Sequence, residues 1–295
     1  MRRAQVVRLM SALALAGLVA GCATAQATPT TEDVRRARAL VTEIGRLVDQ
    51  NQTAQWRLID ACMTAQGFPA HTGGDQIGNG STLPDPLGSS PDLTAARQRG
   101  YGDDRPEQAA RPEPLAAQPP EYRARYVKAQ TGAEVGPDGR AAPTGPPAGC
   151  VGRARAVLYG EGGKPPPGVL LDIGDAAAKA HARDQGVVSI LHRWSDCMTA
   201  AGHPGLDSPR AAQVRAAQLR QATPSAPPGP PVQAEIDLAT ADADCADRTG
   251  SRAVLARSWD TRLGVALVHA EPALIANRDQ LRAALSRAEN ALPKE

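Results

Sequence analysis

Two near-identical stretches carry the most reactive side chains of this 295-residue chain, "CMTAQGFP" from Cys62 and "CMTAAGHP" from Cys197. A cysteine with a histidine near it can serve as a nucleophile, and the chain has five histidines, His71, His181, His192, His203 and His269. Duplication points elsewhere. Two equivalent cysteines, each followed by one further cysteine (Cys150 and Cys245), match two bridges better than two active sites. Glycine and proline after the cysteine also have a conformational reading. Gly67 and Gly202 suit the left-handed residue just past a helix, and Pro69 and Pro204 cannot continue one. The repeat is therefore read as a helix stop carrying half a disulfide, with Met63 and Met198 packed over the cap.

Other candidate chemistry falls short. "GEGGKP" at 160–165 lacks the Ser or Thr that a phosphate loop needs after its lysine, and Pro165 takes that place. "GDQIGNG" at 74–80 has glycines without a strand before or a helix after. Asp242, Asp244 and Asp247 do not form a Ca²⁺ loop, and a solvated helix surface is expected there. The histidines show no zinc spacing. No catalytic residue, metal ligand or cofactor is assigned.

The elements that must hold the cysteines read as helices throughout, with no period-two alternation, so the expected fold class is all-α. From Thr31 to Gln66 a three-and-four spacing runs through Val34, Ala37, Val41, Ile44, Val48, Leu58, Cys62 and Ala65, behind a threonine cap and early acids. Between Pro69 and Pro147 lie 13 of the chain's 26 prolines, and that stretch is expected to be mostly loop. Within it "EYRARYVKAQTG" predicts a short helix docked by Tyr122 and Tyr126, and "VGRARAVLYG" after Cys150 predicts another. A helix from about Asp172 to Ala201 follows, through Ala177, Ala180, Val187, Leu191, Trp194 and Met198. A short helix at 209–221, one from Val232 to Gly250, and a long helical run from Ser251 to Leu292, kinked or restarted at Pro272, complete the chain.

The N-terminus has Arg2, Arg3 and Arg8 ahead of an acid-free apolar run, Leu9 to Gly21, which is the layout of an export signal. At ~1.5 Å per residue the run spans roughly 20 Å, short of the ~30 Å bilayer core. Its end, Val19-Ala20-Gly21-Cys22, resembles the lipobox of bacterial lipoproteins. That resemblance implies cleavage before Cys22, a diacylglyceryl group on its sulfur, and attachment to the outer side of the cytoplasmic membrane. Removing residues 1–21 takes away three basic residues and no acid, leaving 30 basic against 31 acidic side chains, a net charge of −1. The basic balance of the precursor thus gives no reason to expect nucleic-acid binding.

With Cys22 given to lipid, four cysteines remain in an exported chain, which favours two disulfides. Spacing does not choose among three connectivities. The order of the near-repeats favours Cys62 with Cys150 and Cys197 with Cys245.

The order of features also resembles a group of uncharacterised exported or lipid-anchored proteins of high-GC actinobacteria. It rests on Cys62-Met63 and Gly67; Tyr122 to Gly132; Gly149-Cys150, Ala154 and Leu158-Tyr159-Gly160; Cys197-Met198 and Gly202; and Glu235, Ala239, Ala241-Asp242 and Cys245. The resemblance implies architecture and location but no activity. The expected organisation is a signal peptide at 1–21, a tether at 22–30, a first stapled helical unit at 31–160, a linker at 161–171 and a second stapled unit at 172–295. The leading functional expectation is a non-enzymatic interaction or scaffolding module held at the membrane by lipid, its envelope partner unknown. The alternatives are a binder of a small molecule or envelope glycan in a groove between helices, and an enzyme with scattered residues.

Overall fold

A computed structural model of the chain describes residues 29–68, 83, 86–102, 115, 118–133, 148–166, 168–221 and 231–292. The signal segment, Cys22, the "GDQIGNG" loop and Pro69 lie outside the described residues. Among those residues there are ten helices and no strand, and the fold is all-α.

In chain order the helices are α1 (Thr31–Ala65), α2 (Leu93–Arg99), α3 (Pro120–Thr131), α4 (Gly149–Tyr159), α5 (Val169–Ala182), α6 (Gln185–Ala200), α7 (Pro209–Gln221), α8 (Gln233–Thr249), α9 (Ser251–His269) and α10 (Glu271–Ala291). Helix α1 begins in a capping box: the Thr30 hydroxyl accepts from the Asp33 amide at 3.2 Å, and the Asp33 carboxylate accepts from the Thr30 amide at 3.0 Å. Its buried stripe runs through Ala37, Leu40, Ile44, Leu47, Asn51, Ala54, Ile59 and Met63. Ala37 and Ile44 of the face expected from the sequence lie in this stripe and Val41, Leu58 and Cys62 pack beside the cores, whereas Val48 is 43% exposed. Aliphatic residues occur on both sides of this helix, and the side that faces α10 is the one buried.

Contacts along α1 and α10 advance together, from Arg36 with Glu271 (2.7 Å) to Asn51, whose amide donates to the Leu281 carbonyl at 3.0 Å. The two helices are therefore parallel. Helix α9 runs against them, with Arg38 on Asp260 at 2.5 Å and Val34 beside Gly264. A Cβ built at Gly264 falls 3.1 Å from Val34 Cγ1, so a side chain there requires Val34 to give way by a few tenths of an ångström where α1 crosses α9. Ile173 of α5, Leu267 of α9 and Leu274 and Leu281 of α10 complete this core with the α1 stripe. It thus joins segments from both halves of the chain. A second core packs Trp194 and Met198 of α6, Ala212 and Ala216 of α7, and Leu238 and Ala246 of α8. A third joins Ile59 and Met63 to Tyr126 and Ala154.

Three expectations are corrected. The run expected as one helix from 172 to 201 is two, because the Asp184 carboxylate accepts from the Gly186 and Val187 amides (2.9 and 3.4 Å) and starts α6 afresh. The Pro-rich stretch contains α2, capped by Asp92 on the Ala95 amide at 2.9 Å and docked through Ala96 against Ala239 and Ala243. Asp242, expected on a solvated surface, is fully buried. Pro272 restarts the helix, standing in the first turn of α10.

Candidate functional site

The cysteines are where the repeat placed them, and both are spent. Cys62 at the end of α1 bonds Cys150 at the start of α4, and Cys197 at the end of α6 bonds Cys245 in α8. Past each lies the same stop. Gly67 and Gly202 take φ values of 81° and 90°. The Phe68 amide donates to the Met63 carbonyl at 3.0 Å, and the Gly67 amide to Thr64 at 2.9 Å. The corresponding bonds in the second copy are His203 to Met198 (2.9 Å) and Gly202 to Thr199 (3.1 Å). Both are Schellman ends, and Pro204 follows the second.

The strongest polar convergence lies on α8. Asp242 Oδ1 accepts from the Ser90 hydroxyl at 2.5 Å and from Trp194 Nε1 at 2.9 Å, and Oδ2 accepts from the Tyr101 hydroxyl at 2.7 Å. Two turns earlier Glu235, also fully buried, accepts from the Tyr101 amide at 3.1 Å and faces Arg220 Nε at 2.7 Å. Arg252 ties the same loop down through the Ser90 and Pro91 carbonyls at 3.4 and 2.7 Å. Burial pushes the Asp242 carboxyl above its ordinary range, against the pull of its donors. Burial, with Asp242 alongside, drives the Tyr101 phenol far up as well. A paired carboxylate and phenol could exchange protons with a substrate, but both carboxylates have no exposure and the three Asp242 donors come from two other segments, Ser90 and Tyr101 from 86–102 and Trp194 from α6. What the cluster does is bind the loop at 86–102, α6 and α8 together. The sequence signal was available, because Glu235, Ala239, Asp242 and Ala246 repeat at three and four and form the buried face of α8.

A second cluster has the residue types of a hydrolytic triad. His181 Nδ1 lies 3.0 Å from the Ser258 hydroxyl, which donates to Asp184 Oδ2 at 3.3 Å, and Arg262 holds that carboxylate at 2.7 Å. The order is wrong for acyl transfer, since serine sits between histidine and aspartate and its proton goes to the carboxylate. His181 is fully buried, with Trp259 edge-on to its ring at 5.7 Å. The Arg262 guanidinium holds the Asp184 carboxyl below its usual range. Chemically this is a corner brace between α9 and the α5–α6 junction.

A largely apolar open cleft of about 490 Å³ lies between α5 and the α9–α10 corner, walled by Val169, Ile173, Ala176, Val265, Ala266 and Ala273, with Asp172, Arg262 and His269 along it. Lys164 of "GEGGKP" lies instead in a smaller recess with Tyr159 and Arg287, whose guanidinium is engaged by the Leu158 carbonyl at 2.6 Å. Among the described residues no group of three or more His, Cys, Asp or Glu side chains is arranged to hold a metal ion. No helix among them is long and apolar enough to cross a membrane.

No family model, curated protein or solved structure matches the chain. Fold and staples define its class, an all-α helical protein closed by two disulfides. Any functional reading rests on its own residues.

Proposed function

We propose that this protein is a lipid-anchored component of the cell envelope, held through Cys22 on the outer side of the cytoplasmic membrane. Its helical body works there as a non-enzymatic interaction module. The observation that carries the reading is the tetrad Val19-Ala20-Gly21-Cys22, behind an apolar run too short to span a bilayer and eight residues before the capped start of α1. Two disulfides suit an oxidising compartment. The ionisable clusters that could have served catalysis are used to tie helices together.

A membrane-impermeant amine cross-linker applied to intact cells tests this reading, since Lys164 and Lys179 are exposed. A discrete higher-mass adduct is expected. A chain that the reagent cannot reach would contradict the location, and one that is modified but stays monomeric would contradict the interaction role. The second reading, a binder of small molecules, is favoured by the cleft between α5 and the α9–α10 corner. Its largely aliphatic walls suit an apolar ligand better than a glycan.

A further inference from the structure

The starts of α1, α5 and α10 and the end of α9 meet at one pole. Arg36 in the first turns of α1 reaches Glu271 at the head of α10 (2.7 Å), and Val34 packs on Gly264 near the end of α9. The apolar cleft opens at this same pole, because Val169 and Ile173 at the head of α5 face Val265 and Ala266 near the end of α9 and Ala273 at the head of α10. Leu171, in the turn that supplies Val169 and Ile173, is 73% exposed.

Two further facts say what the cleft faces. Thr30 stands only eight positions after Cys22, a reach of at most about 28 Å at ~3.5 Å per residue, so an anchor at Cys22 keeps this pole close to the leaflet. The cleft wall also offers no converged polar receptor. The Arg262 guanidinium is engaged by Asp184 at 2.7 Å, and Asp172 and His269 stand at exposed positions. A cavity of about 490 Å³ with such walls is within the size range of small-ligand sites and suits hydrocarbon with its polar end left outside.

Resting on the anchored reading above, we propose that the cleft between α5 and the α9–α10 corner binds one acyl chain of a lipid drawn from the surrounding leaflet. The short tether holds its mouth at high effective lipid concentration. The protein's own anchor is a poorer occupant. Stable attachment needs two acyl chains in the bilayer, and withdrawing one into the cleft would leave a single chain to hold the protein.

The test titrates cis-parinaric acid, a fluorescent fatty acid, into the full chain carrying Cys22→Ser, into the acylated wild type, and into Cys22→Ser chains that also carry Ala176→Phe or Ala273→Phe. Both alanines are exposed on the cleft wall, so a phenylalanine fills open space rather than core. Saturable binding is expected in the Cys22→Ser chain and the acylated chain alike, weakened at least tenfold by either phenylalanine with an unchanged circular dichroism melt. Absence of saturable binding, or equal binding in both phenylalanine variants, overturns the site. An acylated chain that refuses the probe while the Cys22→Ser chain takes it shows the anchor in the cleft and overturns the leaflet lipid as ligand. Acylation itself is read from the mass of the N-terminal peptide. An unmodified Cys22 would therefore remove the anchored reading, while the binding curves still judge the cleft.

Discussion

Replacing Cys62 and Cys150 together with serine is expected to lower the unfolding free energy by about 2–5 kcal/mol in urea, with the Cys197 and Cys245 pair costing a similar or slightly smaller amount. The first bridge closes a separation of 88 residues and the second one of 48. In the chain-entropy model such loops correspond to roughly 4 to 5 kcal/mol each, and the logarithm keeps the difference between them near half a kcal/mol. Their structural consequences differ more. Cys150 heads α4, and α3 and α4 meet α1 through the small cluster of Ile59, Met63, Tyr126 and Ala154. Leu158 further along α4, buried with Ala54 of α1 and Ala284 and Ala288 of α10, keeps the far end of α4 in place when the bond is gone, so fraying is expected to start at the Cys150 end and in α3. Cys245 lies inside the core of Trp194, Met198 and Leu238, which persists when the bond is gone. The first double mutant should therefore lose helical signal before its main transition, and the second should melt as one unit at lower urea. A cost below 1 kcal/mol for either pair would show that the bridges are incidental to stability.

The Asp242→Ala change is expected to cost about 3–4 kcal/mol. It removes both acceptor oxygens and strands three donors, the buried Ser90 hydroxyl and Trp194 Nε1 and the half-buried Tyr101 hydroxyl, each with a penalty of ~1 kcal/mol or more. Asp242→Asn keeps the shape and one acceptor oxygen, enough for the Ser90 and Trp194 bonds, so a loss of about 1 kcal/mol is expected. The pair also separates the pH behaviour. The folded carboxyl is raised above the ordinary 3.8 by burial. As pH falls through the window between that raised value and 3.8, the folded state takes up a proton that the unfolded chain does not, so this group adds stability on acidification and loses it as pH rises. Asp184 acts in the opposite sense, because its carboxyl is held low by Arg262 and its contribution is lost as pH falls. Urea titrations at several pH values should thus show wild type gaining on Asp242→Asn as pH is lowered. Parallel curves would place the Asp242 titration in the ordinary range.

Local rules made part of this fold readable. The stops after Cys62 and Cys197 and most helix bounds follow from glycine, proline and three-and-four spacing, which act within one or two turns, and the bridge pairing followed from the order of the two near-repeats. What escaped reading depends on partners distant in sequence. Asp242 shares the three-and-four face of Ala239 and Ala246, but the donors that satisfy it, Ser90, Tyr101 and Trp194, come from 152, 141 and 48 residues away. Helix α2 is seven residues long and gains its place by docking on α8, so it left little periodicity to find. Most of the α1 face was legible, with Ala37, Val41, Ile44, Leu58 and Cys62 in or against the cores, but Leu40 and Leu47 were missed and Val48 is exposed because α10, more than 200 residues later, decides how wide the covered stripe is. Asp184 was read as one more helical residue, although its side chain caps α6. The cleft had no sequence signature at all, since alanines form much of it.

The anchor is the claim on which location, exposure to partners and the lipid cleft all depend. Mass spectrometry of the N-terminal peptide from membrane-extracted protein addresses it directly. A peptide beginning at Cys22 and carrying a diacylglyceryl group is the expected result. A peptide beginning elsewhere, or an unmodified Cys22 at that terminus, would contradict it.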